Sequence, residues 1–295
     1  MSERYDGQPL HTVLRSASKE VVIGHDQRFC LIGERINPTG RKMFQEQLRN
    51  GDLSAIERDV VAQVEGAADV LDVNMGVPLT DEPDLLARAI TMVQGLTDLP
   101  VCIDSSVVEA LEAGLSVYQG RALVNSVTAE DDRLALILPL VKRYDAAIIA
   151  LPNDHDEIPM EADKRVQLTA KIIRVATEEY GIAKADIVID PLAMPIGADT
   201  STALVTFETM RRIRDEHGLN MTCGASNTSF GMPDRHTLGA AWLPMAMTAG
   251  LTSAIMDTRT PKIVEGVKAA DVFLDHDEWG MAWIAAHRAK AAAPA

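Results

Sequence analysis

The feature that most constrains this chain is an alternation. From residue 29 onward, short apolar runs of β character recur at residues 29–36, 70–73, 101–103, 123–124, 146–151, 187–189, 221–225 and 253–256. Stretches with helical period separate them, at residues 53–67, 85–95, 107–115, 134–143, 161–180, 203–217, 234–248 and 261–274. Eight strand–helix units over about 245 residues match the arithmetic of an α/β fold of the (β/α)8 TIM-barrel type. An open doubly wound sheet stands second, because alternation alone does not require closure. Neither a Gly/Ser linker nor a charge block interrupts residues 29–274, which read as one domain preceded by an N-terminal extension (1–28) and followed by a C-terminal tail (275–295). The extension holds a β-like piece at residues 21–24, placed to plug the barrel bottom. The tail is Ala-rich, expected as helix that then frays.

Charge and composition remove several functions. A net charge of −15 leaves no Lys/Arg stripe for displacing counterions from phosphates, so nucleic acid is not expected as a partner. No run of 18 apolar residues is present, so no membrane span is expected. Residues 1–24 carry charges throughout and lack a signal peptide's apolar centre, so a cytoplasmic location is expected. Cys30, Cys102 and Cys223 lie apart in apolar runs, the pattern of buried reduced thiols and a poor one for disulfides or zinc. An acidic chain also repels an anionic substrate tail, which must then find a local basic spot.

The chemistry gathers where strands end. The first ends in Gly33-Glu34-Arg35-Ile36-Asn37, the second in Asp72-Val73-Asn74, the third in Asp104-Ser105-Ser106 and the fourth in Asn125-Ser126. The sixth ends in Asp190-Pro191, the seventh in Ser226-Asn227 and the eighth in Asp257. Any one of these could cap a helix or close a turn. Seven together, with almost no Lys, Arg or His among them, would face the barrel's active-site end and suit a neutral heterocycle rich in N–H donors. A divalent metal is the competing use of such oxygens. Amides interrupt the carboxylates, and neither an HExxH nor a close Asp pair supplies a cage, so no bound metal is expected. Ser105 and Ser226 lack the surroundings of a nucleophile elbow, and a GxGxxG or Walker loop is absent. His155, in Asn153-Asp154-His155-Asp156-Glu157, reads as a solvated loop residue.

Six ordered motifs carry a family resemblance over residues 29–274. Gly33-Glu34-Arg35-Ile36-Asn37, Leu71-Asp72-Val73-Asn74-Met75-Gly76, Ile103-Asp104-Ser105, Val124-Asn125-Ser126, Ile189-Asp190-Pro191-Leu192 and Gly224-Ala225-Ser226-Asn227-Thr228-Ser229 resemble the pterin-binding barrel of two enzyme groups. These are the methyltetrahydrofolate:corrinoid/iron-sulfur-protein methyltransferases and cobalamin-dependent methionine synthase. The resemblance implies that Asp104, Asn125 and Asp190 hydrogen-bond the pterin ring, and that Asp72, Gly224 and Ser226 complete the pocket. It implies Asn227 as a mobile amide near N5, with Asn227 and Asp104 as the catalytic residues.

The implied reaction moves a methyl group between N5 of tetrahydrofolate and a corrinoid, in a direction the sequence does not set. The run Asp275-His276-Asp277-Glu278-Trp279-Gly280 has the wrong spacing for a corrinoid signature. The corrinoid is therefore expected on a separate protein docking over the open barrel face; a homodimer is the default assembly. Dihydropteroate synthase is the nearest alternative. Its Ser-Arg-Lys element is replaced here by Ser226-Asn227-Thr228, and its Gly-Glu-Ser-Thr-Arg-Pro loop by Asn74-Met75-Gly76-Val77-Pro78. Without those cations, the charge growing on a pyrophosphate leaving group would go unstabilised. A folate-binding barrel without catalysis is the other alternative.

Overall fold

A computed structural model describes residues 7–155 and 158–292 of the chain. The first six residues of the extension, Asp156 and Glu157 of the His155 loop, and the last three residues of the tail lie outside the described residues. Among the described residues nine strands form: β1 (Thr12–Arg15), β2 (Glu20–Ile23), β3 (Cys30–Ile36), β4 (Val70–Asn74), β5 (Val101–Asp104), β6 (Leu123–Thr128), β7 (Ala147–Leu151), β8 (Ile187–Ile189) and β9 (Ser253–Met256). The helices are α1 (Lys42–Arg49), α2 (Ser54–Glu65), α3 (Glu82–Leu96), α4 (Val108–Val117), α5 (Asp131–Arg143), α6 (Ala162–Arg174), α7 (Thr202–His217), α8 (Arg235–Ala249), α9 (Pro261–Phe273) and α10 (Met281–Ala292). None is long and apolar enough to cross a membrane among the described residues.

Seven strands pair in parallel, in the order β8-β7-β6-β5-β4-β3-β9. The eighth place is held by residues 220–224, which bond to both edges. On one side the Ile189 and Thr222 amides donate to Asn220 O and Ile189 O (2.9 and 3.0 Å); on the other, the Ser253 and Ile255 amides donate to Met221 O and Cys223 O (3.0 and 2.9 Å). The sheet therefore closes, which excludes the open doubly wound alternative. The strand expected at residues 221–225 is reduced to isolated bridges, Ile189 with Met221 and Gly224 with Ile255. Side chains intrude on its ladder: the Thr252 and Ser253 hydroxyls each donate to Met221 O at 3.0 Å, and the Met221 amide donates to Thr252 Oγ1 at 2.9 Å.

The strands alternate between two buried clusters, as a period of two demands. Cys30, Ile32, Val70, Cys102, Leu123, Ile149, Val188 and Ile255 belong to the interior cluster. Their neighbours Leu31, Leu71, Val101, Val124, Ile148, Ile189 and Met256 pack against the helices. All three cysteines are free and buried. Helix α1 has no counterpart in the sequence reading; it is short, and only Phe44 and Leu48, one turn apart, mark its buried face.

The extension forms an antiparallel hairpin of β1 and β2, not the single β piece read from residues 21–24. Its Leu14 and Ile23 are fully buried and join the interior cluster. The Asn220 amide nitrogen lies 2.9–3.0 Å from Leu10 O, Thr12 Oγ1 and Ile23 O, tying the hairpin to the eighth barrel position. Arg121 bonds Val13 O at 2.9 Å and pairs with Asp186 at 2.6 Å. A side chain at Gly120 (φ +143°) would put its Cβ 2.1 Å from Arg15 O, so this approach requires glycine. In the tail, the carboxylate of Asp277 accepts from the Ala282 and Trp283 amides (2.9 and 2.8 Å), so the run from Asp275 to Gly280 leads into the cap of α10.

Candidate active site

The alternation decides what stands at the barrel mouth. Two positions beyond an interior apolar residue, six strands place a polar one: Glu34 after Ile32, Asp72 after Val70, Asp104 after Cys102, Asn125 after Leu123, Asp190 after Val188 and Asp257 after Ile255. Register then sets the neighbours. Glu34 lies beside Asp72, Asn74 beside Asp104, and Asp104 beside Asn125.

Three acids thus crowd one side of the mouth, each with an amide next to it. Asn37 Nδ2 donates to Glu34 Oε1 (3.3 Å), Asn125 Nδ2 to Asp72 Oδ1 (3.4 Å) and Asn74 Nδ2 to Asp104 Oδ2 (2.9 Å). Burial, reinforced by repulsion from Asp104 and Asp257, pushes the Glu34 carboxyl up to about 7. Burial, opposed by the Asn74 bond and reinforced by Glu82, pushes Asp104 up to about 6. Burial and the charges of Asp104 and Glu34 raise Asp72 well above the carboxylate range. Such a well holds protons near neutrality and can exchange them with a ligand.

Asp190 stands on the opposite side. Burial lifts its carboxyl to about 6, against the Leu192 amide (2.8 Å to Oδ1) and the nearby charge of Arg165. Arg165 is wholly buried and donates to Pro159 O, Pro191 O and Leu192 O at 2.8–2.9 Å, bracing the turn that carries Asp190. Beyond the eighth barrel position, Ala225–Asn227 make one 3-10 turn. A Cβ on Gly224 would meet Asn227 Nδ2 at 2.9 Å, so glycine lets the exposed Asn227 amide fold back against the barrel.

Other strand-end residues go elsewhere. Burial would raise Asp257, but hydrogen bonds from Arg259 and Gln63 hold it at about 2, in an ion pair closed at 2.6 Å. Ser105 Oγ donates to Glu82 and accepts from the Val107 amide at 2.9 Å, a turn-closing role. Ser226 is exposed, and its carbonyl accepts from Arg235 at 2.6 Å. His155 is exposed beside Glu130 and Asp132, on the segments that follow β7 and β6; among the described residues this trio is the one group of three or more His/Cys/Asp/Glu close enough to share a metal ion.

Two features escaped the sequence reading. Glu34 stood in a quoted motif without a site role, although its place two residues past Ile32 signals an inward side chain. The near absence of cations at the strand ends also gave the wrong impression of the mouth. Arg35, Arg235 and His236 line a neighbouring cavity of about 450 Å³ that also touches Glu34 and Asn227. Arg235 and His236 open α8, so no strand-end pattern could have shown them.

A closed parallel barrel with an acid–amide well at the C-terminal ends of its strands defines a class, and the sequence places the chain in it. The chain belongs to the family described as pterin binding enzyme, matched over residues 33–257. It is similar to a methylcorrinoid:tetrahydrofolate methyltransferase from Eubacterium limosum, 29% identical over 84% of this chain and 92% of that protein. A methionine synthase from Mycobacterium leprae is 29% identical over 84% of this chain, which spans only 21% of that longer protein. Among solved structures, dihydropteroate synthases from Xanthomonas albilineans (TM-score 0.65, 18% identity, 88% of this chain and 98% of that one) and Vibrio fischeri (TM-score 0.64, 16% identity, 90% and 98%) share the fold.

Proposed function

We propose that this protein moves a methyl group between N5 of tetrahydrofolate and a corrinoid carried on a separate protein. The observation that carries the reading is the well itself: carboxyls that hold protons near neutrality, alternating with amides, beside an exposed amide at Asn227. The Eubacterium limosum relative, named for this reaction, adds support.

Asp190, Asn125 and Asp104 offer acceptors and an amide to the amino and ring N–H groups of a pterin, with Asp72, Gly224 and Ser226 around them. A tertiary amine gives up a methyl group poorly, because N5 would leave as an anion unless a proton or hydrogen bond reaches it. In this reading the Asn227 amide bonds N5, and Glu34 and Asp104, whose carboxyls burial pushes up to about 7 and 6, supply that proton or take it back. Cobalt(I) of a corrinoid supplies the strong nucleophile such a donor needs. The chain's own work is orientation and proton control, which needs neither a protein nucleophile nor a bound metal.

Exposed Met43, Leu79, Ile158, Met160 and Phe230 stand on segments that follow barrel strands and provide an apolar rim on which the corrinoid protein docks. A binding comparison of 5-methyltetrahydrofolate with dihydropterin pyrophosphate tests the substrate. Tight binding of the first alone is expected; preference for the second, with turnover onto 4-aminobenzoate, would move the chain to dihydropteroate synthesis. Folate binding without methyl transfer in either direction would leave a binding barrel.

A further inference from the structure

The turn that carries Asp190 is built around a cation with no acid bonded to it. Arg165, on α6, is wholly buried. Its Nε donates to Pro159 O on the loop after β7, and its Nη1 to Pro191 O and Leu192 O on the turn after β8, at 2.8, 2.8 and 2.9 Å. Nη2 is buried without a hydrogen-bond partner. Burial lowers the guanidinium's proton affinity, and the charge of Asp190 opposes that. Holding a guanidinium on carbonyls alone costs free energy that an apolar side chain of similar size would not, so packing does not account for it.

The turn is also strained. Leu192 is buried and holds φ +61°, a left-handed conformation that is unfavourable for a residue with a side chain and persists where its surroundings enforce it. The two peptide groups that flank the Leu192 Cα present Pro191 O and Leu192 O, the pair that Nη1 holds. With them fixed, the Leu192 amide donates to Asp190 Oδ1 at 2.8 Å, while Oδ2 accepts no hydrogen bond among the described residues.

We propose that Arg165 is the positioning residue for pterin recognition: its fork locks residues 190–192 so that the Asp190 carboxylate meets the ligand with one oxygen free, and its unpaired charge holds that carboxylate as an anion. The inference rests on the reading of the well as a pterin site. The groups that face Asp190 make the charge decisive. Arg165 comes from α6, and the Cys223 thiol, which burial keeps neutral, from the eighth barrel position. From β7 and α7 come Ala150, whose carbonyl accepts from the Asp190 amide at 3.0 Å, and Thr206, neither of which titrates. Burial already lifts the Asp190 carboxyl to about 6 against the Leu192 amide and Arg165, so losing the cation lifts it further.

Calorimetry of 5-methyltetrahydrofolate binding to the full chain, from about pH 5 to about pH 8.5, tests this. In the wild type, affinity should fall as pH drops through about 6 and Asp190 takes up a proton; Asp190→Asn should lack that part of the fall. Arg165→Lys keeps the charge and loses the fork, so affinity should drop about fivefold at every pH with the wild-type midpoint. Arg165→Met loses both. Its affinity should drop about tenfold or more at neutral pH, and its fall should begin about half a pH unit or more higher. In an Asp190→Asn background, Arg165→Met should no longer shift the profile. A folded Met variant with the wild-type midpoint, or a shift that survives in Asp190→Asn, would reduce Arg165 to packing. If urea shows the Met variant unfolded, the Lys variant decides: reduced affinity at an unchanged midpoint supports the clamp, and wild-type affinity at every pH overturns it. A wild type that binds no folate, or whose profile Asp190→Asn leaves intact, would overturn the well's reading and this inference with it.

Discussion

At the N-terminal end of the barrel the chain closes on itself: Leu14 and Ile23 fill the interior, and Asn220 and Arg121 bond the hairpin's backbone. At the C-terminal end the same strands hold Glu34, Asp72, Asp104 and Asp190 with proton affinities raised by burial and, for the first three, by neighbouring acids. One end ties the hairpin's backbone to the barrel, and the other crowds acids together beside amides at the mouth. The first sets stability and the second function, the division of labour of this fold.

That contrast breaks first, if it breaks, at Leu14. Leu14→Ala should cost about 2–5 kcal/mol of stability, the range for emptying a packed core site. Urea unfolding measures the loss, and folate affinity should stay within twofold in the folded variant. A large affinity loss would show that the two ends are coupled. At the other end, Asp190→Ala should leave the urea midpoint near the wild type's and weaken folate binding by about 2–3 kcal/mol, as charge-assisted hydrogen bonds do. Calorimetry returning wild-type affinity would remove Asp190 from the site.

Glu34 sharpens the comparison through pH. Its carboxyl sits at about 7 in the folded protein against an ordinary 4.5, so the folded state disfavours its charge. The stability linked to it is complete below the ordinary value and is lost as pH rises through about 7. Glu34→Gln should therefore be more stable than the wild type at about pH 8, by about 1–2 kcal/mol once partial exposure is discounted, with the gap closing toward about pH 4. A gap independent of pH would contradict the crowding of acids in the well. The smallest expected effect is none: EDTA-treated protein should keep its methyl-transfer rate, and recovery only on adding magnesium, manganese or zinc would turn the acids into metal ligands.

Much of this was legible in the sequence because a strand's period of two is local. Inward Asp72, Asp104, Asn125 and Asp190 follow from apolar residues two positions earlier, and eight strand–helix units point to a barrel. Register and long-range pairing are not local. Nothing near Asp257 in sequence shows that Gln63 would bond it, and nothing near Glu34 shows that it would lie against Asp72. The β-bulge at Arg35 depends on counting residues across β3 and β4, and the hydroxyls that reduce the eighth strand to bridges come from Thr252 and Ser253, some thirty residues on.

The most direct measurement is anaerobic stopped-flow mixing of the protein and 5-methyltetrahydrofolate with cob(I)alamin, following methylcobalamin by absorbance, for the wild type and Asn227→Ala. The expected result is methyl transfer by the wild type, and a variant whose kcat falls by more than its substrate Kd rises, because the amide bonds N5 more strongly in the transition state than in the ground state. A wild type that binds the folate but transfers no methyl group in either direction, or a variant with full rate at saturation, would contradict it.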